Sequence, residues 1–275
     1  MYEAYWQLDA KPFEWTPHTE FYYPGEAHQG ALLKLRYAIE NHRGAALLAG
    51  APGLGKTLLL QRLRQQLDER FAPLVQLVFP QMTTPELLAW LADAFDPPAT
   101  PIRGALPPVN HSVDRILAAL EANSSRGRQA VVVLDEAHLV EDYDTLEALR
   151  MLLNFETSTG LGLTLVLAGQ PSLLSTFERM PHWEERLGIK CLLRPLNVAE
   201  TMAYVSHRLT AAGARRPIFA ADALEAIYYL TQGNPRRINR LCDLALLIGF
   251  AEQCAEITIE ELEAVAGELV TVQPE

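Results

Sequence analysis

The fold of this chain is decided by the stretch Gly50-Ala51-Pro52-Gly53-Leu54-Gly55-Lys56-Thr57. It matches the pattern G-x-x-x-x-G-K-[ST], a glycine-rich turn that leads from a strand into a helix. The context that this motif requires is present. A buried apolar run, Ala45–Ala49, precedes the turn, and a run with helical periodicity follows it, containing Leu58, Leu59, Leu63 and Leu67.

The chemistry of this turn favours a phosphate ligand. Glycines let successive backbone N–H groups point inward around an anion, and the helix N-terminus adds a partial positive charge. We expect the whole turn, with Leu58, to cradle the phosphates of a nucleotide. Lys56 is expected to contact the β- and γ-phosphates, and the Thr57 hydroxyl to hold Mg²⁺. The turn is therefore predicted to be a Walker A motif.

A second apolar run ends in two adjacent acids, Val131-Val132-Val133-Leu134-Asp135-Glu136. Carboxylates at the tip of a buried strand cost desolvation free energy unless a cation or a reaction requires them. We expect Asp135 to coordinate Mg²⁺, directly or through water, and Glu136 to orient and polarise an attacking water. This predicts a Walker B motif; the alternative is a pair of solvated loop acids. With Ala137 and His138 the acids also match a helicase signature, but such helicases need two RecA-like domains.

Apolar runs and helical patterns alternate along the first two thirds of the chain, as expected for strands covered by helices on both faces. The runs are Ala45–Ala49, Leu74–Phe79, Val131–Leu134, Leu163–Ala168 and Ile189–Leu193. After Pro195 the pattern is only helical, over about 198–212, 221–231, 235–252 and 259–270. The sequence predicts an α/β fold, a P-loop core with a five-stranded parallel sheet between helices, plus a small all-helical lid domain.

Three regions follow from this pattern. Residues 1–25 are rich in aromatics and proline, which predicts an extended segment wrapped over a surface. Residues 26–196 are expected to form the P-loop α/β domain and residues 197–275 the helical lid. The proline-rich connection at 96–111 predicts an exposed surface loop, with a partner-binding or pore-facing loop as the alternative.

The charge, the cysteine spacing and the apolar runs of the sequence argue against several classes of protein. The net charge of -11 over 275 residues argues against general coating of nucleic acids or anionic membranes, although a local basic patch could persist. Cys191, Cys242 and Cys254 lack a CxxC spacing, which favours core thiols in a reducing compartment over disulfides or a metal site. There is no apolar run near the roughly 18 residues of a membrane span, and no signal-peptide pattern. We expect a soluble cytoplasmic protein.

A polar residue, Gln170, follows the run Leu163–Ala168. One helical crossover separates that run from the acidic one, so its carboxyl end is expected beside Glu136. Gln170 is therefore a candidate to hold the water or to touch the γ-phosphate, with a simple strand-end cap as the alternative.

An arginine, Arg186, lies just before the fifth apolar run. A cation there is expected to reach the nucleotide of an adjacent subunit, where it would stabilise charge in the transition state. The alternative is a surface salt bridge to Glu184 or Glu185, and Arg179 is the alternative residue for the catalytic role.

The stretch Gln232-Gly233-Asn234-Pro235-Arg236-Arg237 predicts a glycine C-cap, an asparagine N-cap and a proline at the first helical position. The two arginines then lie in a first turn, where the helix dipole disfavours cations by about 0.3–1 kcal/mol each. This suggests that an anion is brought to them. We expect Arg236 to contact the nucleotide phosphates, and Arg237 to face Asp243 or solvent.

Over nearly its whole length the sequence resembles the AAA+ ATPases, and among them the ExeA/GspA-type secretion ATPases and the related MshM-like pilus-biogenesis ATPases. The resemblance is carried by the two motifs above and by several further stretches. These are Lys11-Pro12-Phe13 with Thr16-Pro17, Gly44, Leu149-Arg150-Met151-Leu152, Asn154-Phe155-Glu156-Thr157, Gly169-Gln170-Pro171, Arg194-Pro195-Leu196 and the stretch from Gly233 to Asp243.

This resemblance implies ATP with Mg²⁺ as the nucleotide, and a homo-oligomeric ring or filament with ATP at the subunit interfaces. It implies that Gln170 is sensor 1, Arg186 the arginine finger and Arg236 sensor 2, with the N-terminal segment near the adenine. The sequence departs from the family at His138, where Gln is usual, and at Pro17-His18-Thr19, where Pro-Asp-Pro is usual. Many members continue into a membrane helix and a peptidoglycan-binding domain. Because this chain ends at Glu275, we expect either a truncated form or a stand-alone member.

Three functions remain at this point. The first is an ATPase that drives assembly or remodelling of a bacterial secretion, pilus or cell-envelope machine, in the cytoplasm or peripheral at the inner membrane. The second is an ATP-dependent DNA-binding regulator of transposition, similar to the TniB/MuB/TnsC group. Acidic net charge disfavours it, whereas Arg215, Arg216, Arg237 and Arg240 favour it. The third is an adaptor that binds nucleotide without turnover, against which Glu136 argues.

Overall fold

The computed structural model describes residues 1–14, 21–97, 106–140, 142–160 and 162–271. Residue contacts group the chain into two compact units. The α/β unit comprises Gly30–Ala51 and Leu59–Leu193, and the helical unit comprises Met1–Gln29, Pro52–Leu58 and Arg194–Glu275. The glycine-rich loop from Pro52 onward therefore groups with the helical C-terminal segment, although it follows the first strand in the sequence.

The α/β unit contains one parallel sheet. Its strands within the described residues are β1 (Ala45–Gly50), β2 (Leu74–Leu77), β3 (Ala130–Leu134), β4 (Leu163–Gly169) and β5 (Leu187–Leu193). They lie in the order β2-β3-β4-β1-β5, and every neighbouring pair is parallel. Each predicted apolar run overlaps one strand, so the predicted parallel α/β fold is confirmed.

The helices follow the predicted alternation and then the predicted helical succession. They are α1 (Glu3–Trp6), α2 (Glu26–Glu40), α3 (Lys56–Gln66), α4 (Thr84–Phe95), α5 (Val109–Ser124), α6 (Tyr143–Leu152), α7 (Ser172–Glu178), α8 (Pro181–Glu184), α9 (Val198–Ala211), α10 (Ala221–Thr231), α11 (Pro235–Ala251) and α12 (Ile259–Thr271).

Burial explains why the middle strands are continuous apolar runs. Every residue of β1, β3 and β4 is buried, as expected when helices cover both faces of a parallel sheet. The edge strand β5 differs, because its burial alternates and Leu192 is 61% exposed. The second run is also shorter than predicted. Strand β2 ends at Leu77, paired with the last residue of β3, which leaves Val78 and Phe79 exposed.

The N-terminal segment is part of the core of the helical unit. Trp6 and Phe13 are fully buried in the apolar cluster that α9 to α12 also form, and Trp6 Nε1 donates a hydrogen bond to the Leu246 carbonyl (2.9 Å). The segment differs from the extended conformation expected for 1–25, since Glu3–Trp6 form a helical turn. That turn ends at Gln7 in the left-handed conformation (φ 57°).

A buried arginine of α9 holds this segment. The guanidinium of Arg208 lies 5.9, 5.1 and 5.7 Å from the ring centroids of Phe13, Phe21 and Tyr204. Its Nε donates to the Pro12 carbonyl, and its Nη1 donates to the Tyr204 hydroxyl (2.8 Å). The Arg208 guanidinium is only 5% exposed, and these aromatic faces and oxygen acceptors compensate for its lost hydration.

Several predictions concern residues outside the described part of the chain. Thr16-Pro17, Pro17-His18-Thr19 and half of the connection at 96–111, residues 98–105, lie there. The end of that connection differs from the predicted loop, because residues 109–111 form the first turn of α5. Among the described residues, the three cysteines are free, with Cys191 and Cys242 buried and Cys254 partly exposed. No described helix combines the length and the apolar character that crossing a membrane requires.

Candidate nucleotide-binding site

The glycine-rich loop joins β1 to the first turn of α3. Gly53 (φ 84°) and Gly55 (φ 86°) adopt left-handed conformations that glycine reaches without steric cost. Helix α3 begins at Lys56, and its own first turn contains no acidic residue that would neutralise the positive end of the helix dipole. Lys56 is only 5% exposed and Thr57 is exposed. This local geometry is suited to holding an anion.

The first turn of α11 packs directly on this loop. Asn234 caps α11 by accepting from the backbone N of Arg236 (3.0 Å), and its Nδ2 donates to the Pro52 carbonyl (2.9 Å). The backbone N of Arg236 also lies 3.2 Å from the Gly53 carbonyl and donates to it. A Cβ on Gly53 would lie 2.6 Å from Asn234 Oδ1 and 2.8 Å from Arg236 Cβ. Arg236, the predicted phosphate ligand, therefore starts beside the loop, and its side chain is exposed.

The turn before α11 contains two left-handed residues. Helix α10 ends at Thr231, and both Gln232 (φ 53°) and the predicted cap glycine, Gly233 (φ 65°), follow it in left-handed conformations. Gly233 is required for a second reason, because a Cβ there would lie 1.9 Å from the Leu196 carbonyl oxygen. Arg237 is exposed, and its suggested partner Asp243 accepts a hydrogen bond from the Tyr2 hydroxyl.

His28, in the first turn of α2, is a second anchor of the loop. Its Nε2 lies 2.7 Å from the Leu54 carbonyl, and the side chain is buried. Burial lowers the pKa of His28, against the opposing effect of the hydrogen bond to Leu54. A neutral ring that donates from Nε2 satisfies the carbonyl. Sequence reasoning missed His28, because one histidine in a helical pattern carries no signal of its tertiary partner.

The acidic tip follows β3 at the carboxyl edge of the sheet. Asp135 is 1% exposed, and its backbone N donates to the Leu77 carbonyl (2.9 Å). Glu136 adopts a left-handed conformation (φ 52°), and its backbone N lies 3.0 Å from Asp135 Oδ1. The Glu136 side chain is 41% exposed. The two acids therefore differ in environment: one is fixed and buried, and the other faces outward.

Gln170 lies next to this tip, with one side chain between it and Glu136. Its Nε2 is 2.8 Å from His138 Nε2, and His138 Nδ1 is 3.4 Å from Glu136 Oε2. His138 was noted in the sequence only as a departure from the resembled family. Its contacts were missed because they depend on how the turn after β3 folds back over β4.

The register places these groups along one edge. Ala49 of β1 aligns with Gly169 of β4, and Leu134 of β3 aligns with Leu167. Because β4 lies between β1 and β3, those two strands are about 10 Å apart. Gln170 therefore follows the strand that lies between the start of the glycine loop and the acidic tip.

The predicted Mg²⁺ ligands, Thr57 and Asp135, offer a hydroxyl and a carboxylate oxygen. Mg²⁺ in phosphate-transferring proteins is commonly held by one or two such groups, with phosphate and water completing its coordination. Within the described ranges there is no cluster of three or more His, Cys, Asp or Glu side chains that could form an all-protein metal site. Each of these two residues therefore offers an oxygen donor of the kind that Mg²⁺ uses beside phosphate and water.

Arg186 lies at the amino edge of the sheet, where the strands begin, opposite the carboxyl edge that carries the acidic tip. Its carbonyl accepts from the backbone N of Ala45, the first residue of β1, at 3.2 Å. Its Nη2 donates to Asn154 Oδ1 (2.5 Å), and in the described part of the chain Glu184 is instead paired with Lys190. The length of β4, seven residues or about 20 Å, separates this edge from Gln170. The structure therefore does not bring Arg186 to the acidic tip of its own α/β unit.

Comparison with known proteins agrees with this architecture. The AAA_22 family, an AAA domain, matches residues 39–177. General secretion pathway protein A of Aeromonas hydrophila is 34% identical over 278 residues, covering 100% of this chain and 50% of that protein. The chain thus spans half the length of this relative.

Solved structures show the same fold at low identity. Cdc6p of Pyrobaculum aerophilum aligns with a TM-score of 0.72 and 17% identity, over 96% of this chain and 74% of that one. The Aeropyrum pernix ORC2 protein, solved as ADPNP-ADP complexes, aligns with a TM-score of 0.68 and 18% identity, over 94% and 72%. A variant of RuvB from Thermotoga maritima aligns with a TM-score of 0.58 and 21% identity, over 89% and 70%. The chain belongs to the AAA domain family, as an AAA+ protein of the ExeA/GspA type.

Proposed function

We propose that this protein binds ATP with Mg²⁺ and hydrolyses it to drive assembly or remodelling of an oligomeric machine in bacterial secretion, pilus or cell-envelope biogenesis. The observation that carries the proposal is the glycine loop: two left-handed glycines and a buried Lys56 at the start of α3. Backbone N–H groups and a helix dipole then converge on one anion, which is the chemistry of a phosphate site.

The loop residues bind and orient the triphosphate in this proposal. Lys56 neutralises the β- and γ-phosphates, and Arg236 adds a second cation from the first turn of α11. Thr57 and Asp135 would hold Mg²⁺, which neutralises charge on the phosphate oxygens.

Glu136 acts on the attacking water. Its carboxylate accepts a hydrogen bond from the water and orients it in line with the γ-phosphate. Partial exposure of this side chain leaves it accessible to water, whereas the buried Asp135 is fixed beside β2. Gln170 would hold the same water or the γ-phosphate.

Arg186 is proposed to act on the nucleotide of a neighbouring subunit. Its position at the amino edge of the sheet, about 20 Å of strand away from Gln170, supports a role in trans. A homo-oligomeric ring or filament, with ATP at the interfaces, follows from that role.

The secretion or envelope role is supported by similarity to General secretion pathway protein A over the whole of this chain. That relative is about twice as long as the matched segment. The proposal also includes a partner in the envelope machinery. The proposed location is the cytoplasm or the inner face of the inner membrane.

The test is ATP turnover by the purified protein with and without Mg²⁺, compared with Lys56→Ala. We expect Mg²⁺-dependent phosphate release from the wild type and no ATP binding by the variant, because the buried cation is lost. Arg64→Ala is a matched control, since it removes a cation from the last turn of the same helix. Equal turnover of wild type and Lys56→Ala would refute the proposal.

A second candidate, ATP-dependent regulation of transposition on DNA, is favoured by one observation. Arg237 and Arg240 are exposed and lie three residues apart on α11, so they share one helix face. Titration of duplex DNA at two salt concentrations, with ATP present, separates the candidates, because phosphate-driven binding weakens steeply with salt. Salt-sensitive binding that Arg237→Ala weakens would support the second candidate, and no binding at low salt would exclude it.

A further inference from the structure

His138 lies between Gln170 and Glu136 at the carboxyl edge of the sheet and contacts both side chains. Its Nε2 is 2.8 Å from Gln170 Nε2, and its Nδ1 is 3.4 Å from Glu136 Oε2. The imidazole is 13% exposed, and Nδ1 is buried without a hydrogen-bond partner of normal length among the described residues. A movement of a few tenths of an ångström would bring Nδ1 and the carboxylate into hydrogen-bond range.

These contacts determine the tautomer of His138. An amide nitrogen only donates, so Nε2 of His138 accepts from Gln170. A neutral imidazole has one donor and one acceptor, which places its hydrogen on Nδ1, the atom that faces Glu136. The contacts therefore form a directed chain in which Gln170 donates to His138 and His138 presents its N–H to the carboxylate.

The backbone builds this arrangement in two places. The left-handed conformation of Glu136 turns the chain back over the ends of the strands. Gly169, the last residue of β4, allows the ring to approach, since a Cβ there would lie 3.1 Å from both the backbone N and Nδ1 of His138. A side chain at position 169 would push the imidazole away from Gln170.

We propose that His138 is a positioning residue that connects Gln170 to Glu136, so that the orientation of the Glu136 carboxylate depends on the place of Gln170. The inference rests on the proposed function, ATP hydrolysis assisted by Glu136. A side-chain amide carries two N–H groups, so Gln170 can donate one to His138 and one to a phosphate oxygen or a water. Contact of Gln170 with the nucleotide then fixes the carboxylate through the imidazole.

We expect substitution of His138 to lower the turnover rate and to leave the affinity for ATP unchanged. Without His138 the partly exposed Glu136 side chain samples other rotamers, and a misplacement of about 1 Å can slow a reaction about 100-fold. The phosphate loop is not touched by this change. We therefore expect kcat to fall and KM for ATP to stay constant.

The experiment compares His138→Ala, His138→Gln and a matched control, His111→Ala, which removes an exposed histidine of α5. His138→Ala is expected to lower kcat about 10-fold to 100-fold with KM for ATP within about twofold. His138→Gln is expected to restore kcat to within about threefold of the wild type, because an amide also accepts from Gln170 and donates to Glu136. If the wild type hydrolyses ATP and the kcat of His138→Ala lies within twofold of the wild-type value, the inference is refuted and the proposed function is not.

A double-mutant comparison tests whether His138 acts through Gln170. We expect the kcat of the double variant Gln170→Ala with His138→Ala to be no lower than that of the slower single variant, because each substitution interrupts the same series of contacts. Multiplied effects of the two substitutions would overturn the connection.

A spectroscopic measurement is independent of turnover and covers the case in which His138→Ala folds poorly. Side-chain ¹H–¹⁵N spectra of histidine-labelled protein should show His138 with its hydrogen on Nδ1 in the wild type. Gln170→Ala should move that hydrogen to Nε2 in part or whole, since the donor that imposed the tautomer is gone. A wild-type ring protonated only on Nε2 would overturn the inference even if ATP is hydrolysed, whereas a wild type that hydrolyses no ATP would refute the proposed function itself.

Discussion

Substitution of Gly53 by alanine tests the contact between the glycine loop and α11. The added Cβ would lie 2.6 Å from Asn234 Oδ1 and 2.8 Å from Arg236 Cβ, closer than such atoms approach in proteins. At a φ of 84° the substitution also carries the cost of the left-handed conformation, about 1–2 kcal/mol. Gly127→Ala is the matched control, because its φ is 71° and no described atom lies within 4 Å of the added Cβ.

The difference between the two variants isolates the close approach. To relieve the clash, α11 and the loop must separate, which removes the hydrogen bonds from Asn234 Nδ2 and from the backbone N of Arg236. Each contributes about 0.5–1.5 kcal/mol, so Gly53→Ala should cost about 1–3 kcal/mol more than the control. Its total loss of unfolding free energy is then about 2–5 kcal/mol.

Urea unfolding measures both stabilities, and titration with a fluorescent ATP analogue measures affinity. If the loop must rest on α11 to hold phosphate, the extra 1–3 kcal/mol corresponds to a loss of affinity of about 5-fold to 150-fold. Gly127→Ala should bind the analogue as the wild type does. Equal stability losses for the two variants, with equal affinities, would show that the contact has no energetic role.

Three further predictions concern single side chains. Glu136→Gln should keep ATP binding and oligomerisation but lose turnover, because the water loses its carboxylate; unchanged phosphate release would contradict the assignment. Arg186→Ala should be inactive alone and partly active when mixed with Lys56→Ala, since each subunit supplies the group that the other lacks; inactivity at every mixing ratio would count against action in trans. Burial lowers the pKa of His28, so the folded state binds fewer protons than the unfolded chain below the ordinary histidine value of about 6.5. The free energy of unfolding should therefore decrease as pH falls from about 6.5 towards the lowered pKa, and His28→Gln should reduce that slope in urea titrations at pH 7.5 and 5.5; an identical slope would rule out His28 as its source.

Local patterns predicted the elements of the fold and the residues of the two motifs. Ala45–Ala49 and Val131–Leu134 are apolar throughout because both faces of the sheet are covered, and that requirement is visible in the sequence. The start of α12 is equally local, because the backbone N of Thr258 donates to the side chain of Glu261, three residues later (2.8 Å).

The contacts that complete the candidate site were not predictable in the same way. His28 with Leu54, Asn234 with Pro52, and His138 with Gln170 join residues 26, 182 and 32 positions apart. No periodicity encodes such pairs, because they result from how packed elements meet. Gly233 was predicted as a helix cap from its local pattern, but the close approach of the Leu196 backbone to the same glycine was not predictable, because it is a tertiary contact.

The burial of Trp6 has a consequence for synthesis on the ribosome. Its hydrogen-bond acceptor, Leu246, lies 240 residues further along the chain. At about 5–20 residues per second, an exposed tryptophan must wait roughly 10–50 s for that acceptor to emerge. The sheet, by contrast, is fully translated by Leu193, so we expect it to fold first and the N-terminal aromatics to be captured last. During that interval these aromatics are a target for chaperones, and slowing translation after β5 should increase aggregation of the nascent protein.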